Sequence, residues 1–172
     1  MLDRALDWIS RTLLVLAAVL AFVLCFVVVA DVSGRVLLNS PLKGTPEIVS
    51  YSIVVICYLQ AAYAIRSGGM ISTDAITTHL PLRVQSLLAA FGALLGVLLF
   101  AIICWGGVDG AAHAWNSGEF EGEGALRIPA WPARFVIVGG TALAALSYVL
   151  LMLRNLDAFR KGAPPTTAST GH

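Results

Sequence analysis

The chain has 172 residues, 58% of them hydrophobic and 12% charged, with a formal net charge of +1. A soluble globular domain carries roughly 25% charged residues, so this surface would not stay dispersed in water and the chain is expected inside a membrane. The near-neutral balance also excludes the clustered basic face that a nucleic-acid partner needs.

Residues 1–11 are amphipathic, with Asp3, Arg4, Asp7 and Arg11 set among Leu2, Leu6, Trp8 and Ile9. The pattern places this stretch along the membrane interface as the start of the first helix, with Trp8 at headgroup level. Residues 12–30 carry no charge and are followed by Asp31 and Arg35. The apolar core of a signal peptide is about 7–15 residues long with a small-residue cleavage site behind it. This run is longer and no A-x-A pattern follows, so a retained span is expected over residues 12–34. Asn39-Ser40-Pro41 and Lys43-Gly44-Thr45-Pro46 are turn signals. Thr45 is the expected cap of a second helix, with Pro46 at its first position and Glu47 in its first turn, where the helix dipole favours an anion.

The second span, residues 47–66, has Ser50, Ser52 and Gln60 as its clearly polar interior side chains, and Arg66 closes it. Gln60 lies deep enough to want a partner on a neighbouring helix. In the connection that follows, Met70, Ile71, Ala75, Ile76 and Leu80 interleave with Ser72, Thr73, Asp74, Thr77 and Thr78. That suits a short helix lying on the membrane surface, ended by Pro81. The third span, residues 85–108, carries Gly92 and Gly96, a small-xxx-small pair that admits a close neighbour. The longest loop is expected over residues 106–130 and contains Trp115, Glu119, Glu121 and Glu123. The glutamates alternate with Phe120 and Gly122, which is a solvated acidic turn rather than a calcium loop. A fourth span, residues 132–154, is anchored by Trp131 and Arg134 at one end and Arg154 at the other. The tail, residues 162–172, is expected to be disordered, which leaves residues 1–161 as one membrane domain.

Four spans put both termini on one side. With the termini inside, the inner segments hold Arg4, Arg11, Arg66, Arg83, Arg154, Arg160 and Lys161, and the outer ones Arg35, Lys43, Arg127 and Arg134. Seven cations against four favour cytoplasmic termini. The expected fold class is therefore an all-α integral membrane protein with four transmembrane helices, cytoplasmic termini and a short interfacial helix between spans 2 and 3.

Ionisable residues inside spans mark active sites and ion paths. Here every Asp, Glu, Lys, Arg and His falls at a span end or outside one. His79 and His113 lie in connections, so a bis-histidine haem in the bundle is not expected, and no mid-membrane carboxylate is present for proton coupling. No phosphate loop, nucleophile elbow or H-E-x-x-H helix occurs. Cys25, Cys57 and Cys104 fall in separate apolar runs with no metal or redox spacing. The chain is expected to be neither an enzyme nor the ion-translocating unit, and to hold no cofactor or metal of its own. Asp31 and Arg35 stand at i, i+4, one above the other on a helix face, and Glu47 begins the next helix on the same side. Two readings stay open: a clamp internal to the hairpin, or a contact with a partner or lipid headgroups.

The order Asp31-x-x-x-Arg35, the Asn39-Ser40-Pro41 and Gly44-Thr45-x-Glu47 turn, an apolar span closed by Arg66, then Ile71-Ser72-Thr73-Asp74 and Leu80-Pro81 resembles the small membrane subunit of tripartite ATP-independent periplasmic (TRAP) transporters. The resemblance covers roughly residues 4–155. That family often has a histidine near the position of Met70, which this chain lacks, so no histidine-specific role is carried over. The resemblance implies a bacterial inner-membrane scaffold that packs against a large subunit and helps to dock a periplasmic solute-binding protein. It places the sodium and carboxylate sites on the large subunit, and it makes Asp31, Arg35, Glu47, Gln60, Arg66 and Asp74 structural or subunit-interface candidates. The competing classes are a stand-alone small carrier, which would need intramembrane ionisable groups, and a respiratory-enzyme anchor, which usually needs haem histidines.

Overall fold

A computed structural model describes residues 2–40, 42, 44–67, 80–121 and 128–165. Four helices account for most of them: α1 (Leu2–Leu38), α2 (Thr45–Arg66), α3 (Leu82–Ser117) and α4 (Trp131–Lys161). A two-residue antiparallel ladder, β1 (Phe120–Glu121) on β2 (Ile128–Pro129), closes the α3–α4 turn. All four helices are long and apolar enough to cross a membrane. Even α2, with 22 residues, reaches about 33 Å at 1.5 Å per residue, against a hydrocarbon core of about 30 Å. The expected all-α, four-span fold is the fold observed. The interfacial helix expected around residues 70–80 falls largely on residues 68–79, which lie outside the described residues, as does most of the tail.

The helix boundaries depart from expectation in three places, each for a local reason. The amphipathic stretch is the start of the first helix, as expected, but the helix reaches further in both directions than residues 12–34, from Leu2 to Leu38. Gly44, in the left-handed conformation at φ 88°, precedes the first turn of α2, and Thr45 is already helical. The Thr45 hydroxyl donates to the Leu42 carbonyl at 3.2 Å instead of capping α2. The third departure is the largest. The loop expected to begin at Gly106 begins only at Gly118, because α3 runs through three glycines to Ser117. A glycine costs a helix roughly 1 kcal/mol relative to alanine, but two of these are places where α4 presses in. A Cβ on Gly107 would lie 3.1 Å from the Val138 side chain, and one on Gly110 would lie 2.9 Å from Arg134 Nη1. Gly118, at φ 61°, ends the helix by returning its N–H to the Ala114 carbonyl.

The helices pack in the order α1–α2–α4–α3, and the α4–α3 seam is the most extensive; the other pairings are marginal. The seams follow from spacing. On α1 the inward positions run from Leu6 and Ser10 through Ala17 to Asp31 and Gly34, in alternating steps of four and three. On α3 they run from Ser86, Ala90 and Ala93 to Ala111 and Ala114 with the same rhythm. A mean period of 3.5 keeps one stripe facing one partner over the whole helix. The buried apolar positions are mostly alanine, while Phe22, Phe26, Ile102 and Trp105 point outward. Lipid tails are as apolar as leucine, so helices in a membrane gain by close approach of small residues rather than by hiding large ones. Among the described glycines the tightest fit is at Gly140 of α4, where a Cβ would lie 2.5 Å from the Tyr58 carbonyl oxygen of α2. Of the expected Gly92 and Gly96 pair, Gly96 alone meets a neighbour, the Tyr148 ring of α4, and Gly92 faces open space.

Candidate functional site: the polar ends of the helices

Asp31 sits on the inward stripe of α1 and is 5% exposed, although it carries the only charge on that stripe. Its carboxylate pairs with Arg35 at 2.8 Å, one turn on, and accepts the Leu42 N–H at 2.9 Å from the following turn. The Ser40 N–H returns to the Gly34 carbonyl at 3.1 Å, so the chain doubles back tightly. Asp31 therefore bonds to both sides of the α1–α2 turn from within. Arg35 is half exposed. It does not share itself with Glu47, which makes no ion pair among the described residues. Successive helical residues are about 100° apart, so Glu47 lies roughly 200° around α2 from Thr45, the residue set beside the α1 turn. One Glu47 carboxylate oxygen is shielded from solvent and lacks a hydrogen-bond donor among the described residues.

The opposite end of the same hairpin is closed by a second pair that the sequence reading missed. Arg66 donates from Nε to Asp7 Oδ1 at 2.7 Å, joining the last turn of α2 to the start of α1. Arg66 is largely covered and Asp7 mostly exposed. The double variant Asp7→Arg, Arg66→Asp should recover most of what either single reversal loses. With Asp7 mostly exposed, the pair contributes about 1 kcal/mol. A double-mutant cycle on thermal midpoints in detergent measures the coupling, and strictly additive losses would rule the pair out as a stabilising contact.

The α3–α4 hairpin has its own pair. Arg134 donates from Nη2 to Glu119 at 3.0 Å and from Nη1 to the Gly110 carbonyl at 3.2 Å. Glu119 is thus part of the scaffold rather than of a purely solvated acidic turn; the side chain of Glu121 and all of Glu123 lie outside the described residues. Trp115, Trp131 and Phe135 stack edge-to-face beside this pair, with Trp115 and Trp131 ring centres 5.2 Å apart. The two hairpins meet where the Ala133 N–H, an otherwise unpaired donor in the first turn of α4, donates to the Tyr51 hydroxyl at 2.8 Å. At the other end Ser86 donates to the Ala163 carbonyl at 2.9 Å, so the chain beyond α4 folds back on α3.

Of the remaining candidates, Asp74 lies outside the described residues. Gln60 is half-buried on α2, and its amide has no hydrogen-bond partner within the chain among the described residues. The partner wanted on a neighbouring helix is not on α1 or α4. Among the described residues no three His, Cys, Asp or Glu side chains are placed to hold a metal ion.

Four helices long and apolar enough to span a bilayer, with apolar or small residues between their ends, define a small multi-pass membrane protein. The family model for the DctQ component of tripartite ATP-independent periplasmic transporters matches residues 24–158. The chain belongs to this family, a multi-pass inner-membrane component of a transporter. No curated protein and no solved structure matches the chain.

Proposed function

We propose that this chain is the scaffold subunit of a sodium-driven TRAP transporter for an organic acid. In this reading both termini are cytoplasmic, and the Asp31 and Glu119 ends of the hairpins face the periplasm. The large subunit carries the sodium and solute sites and moves the solute. The small subunit holds the large one in place and helps a periplasmic binding protein to dock. It performs no catalysis and binds no cofactor.

The observation that carries this reading is the use the chain makes of its charges. Asp7, Asp31, Arg66, Glu119 and Arg134 are committed to closing the chain's own turns. Residues 12–30, 48–65, 84–108 and 135–153 contain no Asp, Glu, Lys, Arg or His. A path for ions or carboxylates needs such groups at membrane depth. The test is to tag the chain, extract it gently with co-expressed large subunit, and reconstitute the pair with the binding protein. A stoichiometric complex with sodium-dependent uptake of an organic acid is expected. Uptake by this chain alone, or purification without a large multi-span partner, would overturn the reading.

A further inference from the structure

The arginines at the helix ends are used in two ways. Arg35, Arg66 and Arg134 each pair with an acid of the same chain, namely Asp31, Asp7 and Glu119. Arg83 at the start of α3 and Arg160 in the last turn of α4 are exposed and make no ion pair among the described residues. They belong to one place, since a Cβ on Gly162, which ends α4, would lie 3.9 Å from Arg83 Nε. The negative end of the α4 dipole attracts both cations there, but it leaves each guanidinium with donors to spare.

Each of these arginines heads a stripe of large apolar side chains. On α3, Arg83, Leu87, Phe91, Leu94 and Leu98 follow at steps of four and three, and Trp105 lies two steps further on; all are exposed. From Arg83 to Trp105 is about 33 Å of helix, close to the thickness of the hydrocarbon core. On α4, Leu153, Leu156 and Arg160 follow at steps of three and four and are exposed too. Ser86 and Tyr148 mark the seam between the two helices, Ser86 bonded to Ala163 and Tyr148 lying against Gly96. At about 100° per residue, the α3 stripe stands roughly 60–140° round from Ser86 and the α4 stripe roughly 80–140° round from Tyr148, in the same sense. Antiparallel helices turn in opposite senses when seen from one end, so both stripes come to the same flank of the hairpin. Gly140, where α2 packs, is about half a turn away on α4. The seams of this protein are built from small residues, as helix contacts in a membrane are; this bulky flank is built to meet lipid.

We infer that this flank of the α3–α4 hairpin holds an anionic phospholipid, with its headgroup phosphate between Arg83 and Arg160 and an acyl chain against Leu87, Phe91 and Leu156. A phosphate at the membrane surface is the counter-ion that neither arginine finds within the described chain, and the guanidinium fork matches its oxygens. Phosphatidylglycerol, with a net negative charge, suits the site better than phosphatidylethanolamine, whose ammonium group would join two cations already there.

The full chain, purified in mild detergent, is titrated with either lipid and the bound lipid is counted by native mass spectrometry. Phosphatidylglycerol should bind in preference to phosphatidylethanolamine. Arg83→Gln and Arg160→Gln should each weaken it about fivefold, the value of one cation at a membrane surface. The double variant Arg4→Gln, Arg11→Gln, which removes two cations from the start of α1, should leave it unchanged. In the wild-type chain, phosphatidylglycerol with a photoreactive group midway along an acyl chain should label α3 near Phe91 and α4 near Leu153, and not α1. Equal binding of the two lipids, an equal loss in the Arg4 and Arg11 variant, or label spread over α1 overturns the inference. Loss of the label when the large subunit is co-expressed also overturns it, because another chain and not lipid then covers this flank.

Discussion

Replacing Gly140 with alanine should cost the protein most of its folded yield, while the same replacement at the adjacent Gly139 should leave it unchanged. The two residues share composition, helix and depth, and differ in what a methyl group would meet. At Gly139 nothing lies within 4 Å, whereas at Gly140 the new carbon would stand 2.5 Å from the carbonyl oxygen of Tyr58 and 3.1 Å from its carbonyl carbon. Those atoms belong to the backbone of α2 and cannot rotate aside, so the two helices must separate along the seam. Overpacking a well-filled interior costs about 1–3 kcal/mol, and a backbone obstacle puts this case at the upper end. The separation would also strain the nearby bond from the Ala133 N–H to the Tyr51 hydroxyl. The fraction of monodisperse protein after extraction, and its thermal midpoint, measure the effect. Equal behaviour of the two variants would mean that α2 and α4 do not cross at this point.

The second large effect is expected at Asp31. Asp31→Ala removes both the partner of Arg35 and the acceptor of the Leu42 N–H, so the α1–α2 turn loses its internal anchor. Asp31→Asn keeps an acceptor for Leu42 and loses only the ion pair, so it should fall between the wild type and Asp31→Ala. Arg35→Ala should lower assembly or uptake, since it leaves the buried carboxylate without its counter-ion, held in this turn by the Leu42 N–H and the Thr45 hydroxyl alone. Protease sensitivity of the turn, read beside the yield of the pair with the large subunit, ranks the three. Wild-type behaviour of Asp31→Ala would remove the carboxylate from any structural role.

The parts of this architecture legible in the sequence were those set by composition over many residues. Four apolar runs of bilayer length gave four helices, and Asp31 with Arg35 gave a pair at one turn's spacing. What was missed depended on which residues meet across space. In the sequence Asp7 is one charge among several in an amphipathic start, because its partner Arg66 is 59 positions away. Glu119 looked like a member of a free acidic group until Arg134 was placed beside it. Gly106, Gly107 and Gly110 read as a loop because glycine is a poor helix former by itself, and the α4 surface that favours two of them was not visible.

The order α1–α2–α4–α3 has a consequence for how the protein is made. The pairs α1–α2 and α3–α4 are hairpins, and the first is fastened at one end by Asp31 with Leu42 and at the other by Asp7 with Arg66. The second brings its own fastening in Glu119 and Arg134. The first hairpin therefore holds every contact it needs for its own closure as soon as Arg66 has left the ribosome, before any of α3 has emerged. The second can close by itself in turn. What remains for the late stage of biogenesis is a single lateral step within the bilayer, the meeting of Tyr51 and Tyr58 with Ala133 and Gly140. An error of synthesis or insertion in one hairpin would leave the other intact but unjoined.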